Sequence, residues 1–262
     1  MKKKRLVLNI ANLPVAFCLK DSRMYERILK RYRGYVYERS GAVLELEAVF
    51  TARFHGKGLQ VRMSQRGSLF QVSRRDFHCQ WEQHSGTLRM RPSIYAFDAL
   101  VRVLYATLMP LYNGMLMHAA GVVKNRRAYL FAGRSGAGKT TVSRLSRGKV
   151  LNDEITAVRI MGKDRVELSG TPFWGEMGSG PVYRESFKLG ALFFLKKDKT
   201  DRIIPLKSIF SIPAILRCCC YFGRNPDRIK EILHMAGGIA EIVPVSKLHF
   251  TRSNEFWKKI LH

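Results

Sequence analysis

Residues 133–140 read Gly-Arg-Ser-Gly-Ala-Gly-Lys-Thr, a full match to the phosphate-binding pattern G-x-x-x-x-G-K-[ST]. Such a loop works only between a buried strand and a helix, so it constrains the fold directly. Both flanks fit. Ala128-Tyr129-Leu130-Phe131-Ala132 is an apolar run of strand length, and Thr141-Val142-Ser143-Arg144-Leu145 has helical character. Gly133, Gly136 and Gly138 let the backbone curl so that successive N–H groups face one anion at the start of the helix. With Ser135, Ala137 and Thr141 they form the expected nucleotide-binding set. Lys139 is expected to reach the β- and γ-phosphates and Thr140 to offer its hydroxyl to Mg²⁺. The implied ligand is a nucleoside triphosphate, ATP with Mg²⁺.

The next acidic residues narrow the chemistry. A short helix over 140–147 and a stop at Gly148 lead into Lys149-Val150-Leu151-Asn152-Asp153-Glu154, so a carboxylate pair ends the next apolar segment. Transporter-type ATPases place their metal-binding carboxylate much later, behind a Leu-Ser-Gly-Gly-Gln-like signature, which Leu145-Ser146-Arg147-Gly148 imitates poorly. The Asn-Lys-x-Asp motif of GTPases is absent. Small-metabolite kinases are not excluded by pattern alone.

Three segments together carry a resemblance. Met115-Leu116-Met117-His118-Ala119-Ala120-Gly121-Val122-Val123, the loop with its strand, and Val150-Leu151-Asn152-Asp153-Glu154 resemble the core of HPr kinase/phosphorylase and related kinases. That family shares its nucleotide-binding core with ATP-type phosphoenolpyruvate carboxykinase. The resemblance spans roughly residues 95–262. It implies an α/β fold with a P-loop core, and it assigns His118 to the family histidine, Lys139 and Thr140 to nucleotide and metal, and Asp153 and Glu154 to the acidic pair. Gly170-Thr171-Pro172-Phe173-Trp174-Gly175-Glu176 is similar to a segment of HPr-kinase-related proteins of peptide-modifying gene cassettes, of the SynChlorMet cassette ScmC type. Two departures stand out: Glu154 where HPr kinases usually carry Asp, and no copy of their downstream Arg-Gly motif. HPr as acceptor, and phosphorolysis as a second activity, are therefore not assigned.

Phosphoryl transfer asks the protein mainly to position and neutralise, a task for Mg²⁺, Lys139 and the loop amides. Asp153 is the first candidate for proton acceptor from a substrate hydroxyl, or else a metal ligand, and Glu154 is the other. Adjacent strand residues point to opposite faces, so one of the pair is structural unless the strand has already turned. His118 is either a core histidine or a residue that orients or protonates Asp153. Glu176 sits in a Gly/Pro/aromatic turn over 171–180. It is either a surface carboxylate or, if that turn borders the site, a second-metal or substrate residue.

The chain has 262 residues and 46% apolar content, enough for a substantial core. Its formal charge is +26, from 46 basic against 20 acidic residues, which calls for an anionic partner. The basic residues are dispersed and no nucleic-acid-binding signature accompanies them, so an acidic peptide or protein substrate accounts for the charge at least as well. A homo-oligomer is compatible with the sequence. Cys218-Cys219-Cys220 cannot all face one zinc ion in regular structure, and the five cysteines point to a reducing, cytoplasmic setting. Lys2-Lys3-Lys4-Arg5 reads as a solvated lead-in to a strand rather than a signal peptide. The stretch 103–123 lacks charge and could span a bilayer by length, but Pro110, Asn113, Gly114 and His118 split it into a helix over 93–112 and a buried strand over 115–123.

The first ninety residues differ in texture. A basic segment with helical character over 21–33 precedes short alternating runs at 43–50, 59–63, 68–72 and 87–90, punctuated by glycines such as Gly56 and Gly67, as in an antiparallel sheet. Beyond the acids, the pattern predicts a strand over 187–195, helices over 204–221 and 226–234, a strand over 242–250 and a last helix from 253. The expected organisation is a β-rich N-terminal lobe over 1–92 and an HPr-kinase-like nucleotide-binding core over 93–262. The expected activity is ATP- and Mg²⁺-dependent phosphorylation of a hydroxyl, that of serine, on a peptide or protein. A nucleotide-binding accessory protein of a peptide-modification pathway and a basic nucleic-acid-associated ATPase are the alternatives.

Overall fold

A computed structural model describes residues 2–38, 41–54, 58 and 60–261. Gly56 and Leu59, used above as punctuation and as a strand start, lie outside the described residues. The chain is a strand-rich mixed α/β protein with two mixed sheets. It divides into two compact units, Met1–Leu108 with Tyr221–Ile229, and Met109–Cys220 with Lys230–His262.

The first unit holds β1 (Lys4–Ile10), β2 (Leu13–Leu19), α1 (Ser22–Arg31), β3 (Leu44–Phe50), β4 (Arg62–Arg66), β5 (Leu69–Arg74), β6 (Phe77–Glu82), β7 (Ser85–Met90) and α2 (Ile94–Leu108). The strands form one sheet in the order β1-β2-β3-β7-β6-β5-β4. Ala11 and Asn12, both at positive φ (54° and 59°), close the β1–β2 hairpin in the turn whose twist matches the strands. β4 to β7 form the expected antiparallel meander, but β2–β3 and β3–β7 are parallel, so the sheet is mixed rather than antiparallel. The crossover through α1 is the cause of the first parallel pair: a helix between two strands returns the chain to run the same way. Asp21 caps α1, its carboxylate accepting from the Met24 amide at 2.9 Å.

α2 is the stretch, extended by one 3-10 turn to Tyr112, that is long and apolar enough to cross a membrane by length and composition. About two thirds of it is buried inside the protein. Phe97 packs edge-on against Phe17 (5.0 Å) and Tyr32 (5.7 Å), and the Tyr105 hydroxyl donates to the Leu8 and Leu13 carbonyls at 2.8 and 3.0 Å. Those bonds satisfy the polar tip of a ring that is otherwise wholly in the core.

The second unit holds β8 (Gly114–Met117), β9 (Ala119–Lys124), β10 (Arg127–Ala132), α3 (Lys139–Leu145), β11 (Lys149–Asn152), β12 (Thr156–Met161), β13 (Arg165–Ser169), β14 (Phe187–Lys197), β15 (Arg202–Pro205), α4 (Ser208–Cys218), most of α5 (Pro226–Ile242), β16 (Val245–Phe250) and α6 (Phe256–Leu261). Its sheet runs β11-β9-β10-β14-β13-β12-β8, with β16 joined to β14 and β15 to β16. β10 is antiparallel to β9 and parallel to β14, which is itself parallel to β16.

Three expectations are corrected here. The strand expected over 115–123 is broken at His118: β8 pairs with β12, whereas β9 pairs with β10 and β11. The His118 amide leaves the ladder to donate to the Cys218 carbonyl at 2.7 Å, which lets the chain step between partners. The helix expected over 204–221 begins only at Ser208, because Ile203 and Ile204 pair with β16 and Pro205 ends that strand. α5 continues past His234 to Ile242 through Gly237 and Gly238; a Cβ on Gly238 would meet Ile160 Cδ1 at 3.0 Å, so glycine permits a close approach there rather than a stop.

Rings dominate the core of this unit. Phe256 is fully buried against Phe131, Phe250 and Trp257, and the Trp257 indole N–H donates to Ser146 Oγ at 3.0 Å, just past the end of α3. Phe256→Ala is expected to cost about 3–5 kcal/mol in denaturant unfolding, the usual loss for a buried phenylalanine. A change under about 1 kcal/mol would mean that α6 is not part of the cooperative core.

The Asp198 carboxylate accepts from His249 Nδ1 at 2.6 Å, from the Lys199 amide at 2.7 Å and from Arg202 at 3.0 Å. The His249 bond first, then the amide and Arg202, holds it at about 2, below its ordinary 3.8. A depressed carboxylate stabilises the fold above its unfolded value and loses that contribution as pH falls through its folded value. Asp198→Asn is therefore expected to lower the thermal midpoint at about pH 5 or above, with the gap to the wild type closing as pH falls towards 2. A gap independent of pH would contradict it.

Candidate active site

The segment 133–138 bends tightly between β10 and α3. Gly138 sits at φ +107°, where a side chain would be strained, and a Cβ there would meet the Phe250 ring at 2.5 Å. Gly136, at φ +76°, faces open space. The Lys139 ammonium curls back on the loop, donating to the Gly133 carbonyl at 3.0 Å and approaching that of Arg134 at 3.4 Å. Burial holds this lysine below its ordinary pKa, opposed by the nearby Cys218, Glu154, Asp153 and Glu176. An ammonium so placed gains from an incoming anion more than an exposed one does.

Opposite the loop, β11 delivers the acidic pair. The Asn152 side chain, fully buried, accepts from the Glu154 and Ile155 amides at 2.6 and 2.8 Å and donates to the Thr171 carbonyl at 3.0 Å. This turns the chain as soon as the strand ends. Both Asp153 and Glu154 consequently line one cavity, and the expectation that strand alternation makes one of them structural does not apply.

Asp153 is 2% exposed. Oδ1 accepts from the Gly175 amide at 2.8 Å; Oδ2 accepts from the Met177 amide at 3.1 Å and from the Thr140 hydroxyl at 3.3 Å. The loop 171–180 thus borders the site, as its composition allowed, and it does so through backbone amides. A side chain at Gly175 would press on Glu154 Cβ at 3.0 Å and on the Asp153 carboxylate at 3.3 Å.

The cavity is about 300 Å³, within the range of small-ligand pockets. Of the sequence candidates, His118, Ser135, Gly136, Gly138, Lys139, Thr140, Thr141, Asp153, Glu154 and Glu176 line it. Gly133 and Ala137 do not, and act from behind: Gly133 through the carbonyl that holds Lys139, Ala137 through an amide bond to the Arg134 carbonyl at 3.0 Å. The cavity also includes Lys197, which sequence reasoning missed. Its signal is topological: β14 runs parallel to β10, so their carboxyl ends emerge side by side, where open parallel sheets bind ligands.

Three carboxylates against two ammonium groups leave the cavity wall formally at −1 in a chain of +26. A polyphosphate needs a cation to enter such a site. The Thr140 hydroxyl beside the Asp153 carboxylate, with Glu154 adjacent, is an oxygen-only donor set that suits Mg²⁺, which takes one or two carboxylates and completes its shell from water and phosphate. Among the described residues, the group of three ligand atoms close enough to share a metal is Cys18, Glu45 and Glu47 in the first unit, where Arg5 and Lys3 already pair the carboxylates. None of the five cysteines forms a disulfide.

No curated protein matches this sequence. The family model of the SynChlorMet cassette protein ScmC matches residues 89–262, about two thirds of the chain and the whole of the site just described. This match supports the likeness read from residues 170–176 and gives no support to the wider HPr-kinase likeness. The chain belongs to the family of the SynChlorMet cassette protein ScmC.

Proposed function

We propose that the second unit is an ATP- and Mg²⁺-dependent kinase of the HPr-kinase type, acting on a serine hydroxyl of an acidic peptide or protein. The contact between the Thr140 hydroxyl and the Asp153 carboxylate, in one cavity with Lys139, carries this reading. It joins a loop hydroxyl and a strand-end carboxylate in the pairing by which phosphate-loop enzymes hold their metal. The family name refers to a gene cassette. A peptide specified by such a cassette fits as acceptor, and five cysteines without a disulfide fit a cytoplasmic setting.

In this mechanism the loop amides and Lys139 bind the β- and γ-phosphates. Thr140 and Asp153 would hold Mg²⁺, which when bound adds positive charge against the phosphate oxygens. Asp153 keeps three of its roughly four acceptor positions filled by Gly175, Met177 and Thr140, so it is better suited to holding a cation than to taking a proton. The proton acceptor is then Glu154, and the order of roles expected from the sequence is reversed. The serine oxygen bonds to the γ-phosphorus as the bridging P–O bond breaks, ADP leaves, and the serine proton passes to Glu154. Lys197 and His118 line the walls around the transferred group.

Incubation of the full chain with γ-labelled ATP, Mg²⁺ and serine-containing cassette peptides tests the reading. Label transferred to serine supports it. Tight ATP binding without transfer points instead to an accessory nucleotide-binding role, and polynucleotide-stimulated, salt-sensitive hydrolysis points to a nucleic-acid-associated ATPase.

A further inference from the structure

α4 has two unlike sides. Ser211, Ala214 and Ile215 are buried. Ile209, Phe210, Pro213 and Arg217 are exposed and fall within one arc of about 100° by helical spacing. Ile209 is 72% and Phe210 62% exposed. Adjacent large apolar side chains standing in water add nothing to folding and mark a contact surface. Ile204, 42% exposed on β15, lies five positions earlier, on a strand that pairs only with β16 among the described residues. Pro213 removes the amide that would otherwise close on the Ile209 carbonyl.

The far end of α4 reaches the candidate site. Its last residue, Cys218, takes the His118 amide on its carbonyl at 2.7 Å, and its thiol lies beside Lys139 and the Gly133 backbone. At 1.5 Å per residue, Phe210 to Cys218 spans about 12 Å. An extended peptide covers that distance in about four residues. Arg217 stands on the exposed arc next to Cys218.

We propose that the exposed arc of α4 docks the phosphate-accepting peptide. An acidic, extended segment seats one apolar side chain on Ile209 and Phe210, and a serine about four residues away enters the cavity. This rests on the phosphotransfer reading above. Charge selects an acidic peptide over a second copy of the chain: Arg217, and the exposed Lys207 at the apolar end, attract carboxylates and repel the same face of another copy. The last residue of α4 lies beside Lys139 and His118, both in the cavity wall, which gives the docked chain somewhere to go.

The probes are fluorescein-labelled synthetic peptides with one serine in a Gly/Asp/Glu background and a single phenylalanine placed two to seven residues from it. Anisotropy with the full chain, without nucleotide, is expected to show the phenylalanine peptides binding about tenfold more tightly than phenylalanine-free ones. Ile209→Ser combined with Phe210→Ser should erase that difference, and Phe210→Leu should largely keep it; both positions are exposed, so the fold should stay intact by circular dichroism. With ATP and Mg²⁺, transfer should peak at a spacing of about four. Absence of peptide binding by the wild type, or equal binding by the double variant, overturns the proposal. So does a double variant that instead loses self-association or binding to anionic phospholipid vesicles while peptide affinity is unchanged. The two readings separate cleanly: transfer to serine that is indifferent to the double variant leaves the kinase and removes the docking surface, whereas arc-dependent peptide binding without any transfer leaves the surface and removes the kinase.

Discussion

Lys139→Ala is expected to reduce nucleotide turnover by about 10³-fold or more while leaving the fold intact, since a positioned charge at the transferring group typically supplies at least that much. The ammonium is held by the Gly133 carbonyl at 3.0 Å inside a cavity whose other charges sum to a net negative wall. Without it, the phosphates face Asp153, Glu154 and Glu176 with only Lys197 to offset them. The fold is expected to survive because the aromatic core around Phe131 and Phe256 does not include this side chain; what it secures is the resting shape of the loop. Lys139→Arg should also fail, because a planar fork cannot reproduce a compact charge in a space already bounded by the loop carbonyls. Single-turnover transfer from labelled ATP, with the thermal midpoint as a control, measures both parts. Unchanged turnover in a well-folded variant would end the kinase reading.

What could be read from the sequence was local chemistry. The loop from Gly133 to Thr140, the buried strand ahead of it and the acids at Asp153 and Glu154 were all legible because each is written in contiguous residues with a single geometric solution. Asn152 was not, since its role comes from turning the chain after β11 and reaching Thr171, nineteen positions on. Nor were the amides of Gly175 and Met177, because a main-chain donor leaves no mark in the sequence beyond a loop able to bend. Lys197 follows from a parallel pairing of β10 with β14, and alternation or apolar run length does not reveal which strands will be neighbours. The same blindness explains the first sheet: period two identified strands at 43–50, 68–72 and 87–90, but strand direction is set by the connections, and α1 makes β2 and β3 parallel. The break at His118 belongs to this class as well, since it depends on the carbonyl of Cys218, a hundred residues later.

Asp153→Asn is expected to lower phosphoryl transfer by about 10² to 10⁴-fold, the range seen when a group acting on the reacting centre is lost. The substitution keeps size and shape but turns one acceptor oxygen into a donor, and two of the three groups now bonded to that carboxylate, the Gly175 and Met177 amides, can only donate. One of them must lose its partner, so the loop 171–180 should loosen along with the metal position. That gives a signature a simple proton acceptor lacks: the Mg²⁺ concentration for half-maximal transfer should rise, and amide exchange at Gly175 and Met177 should quicken. Glu154→Gln should behave differently. Its backbone amide stays tied to Asn152, so ATP and Mg²⁺ binding should persist while transfer falls. If Asp153→Asn left the Mg²⁺ requirement unchanged and Glu154→Gln raised it, the two acids would hold each other's roles, and Asp153 would be the proton acceptor first expected from the sequence.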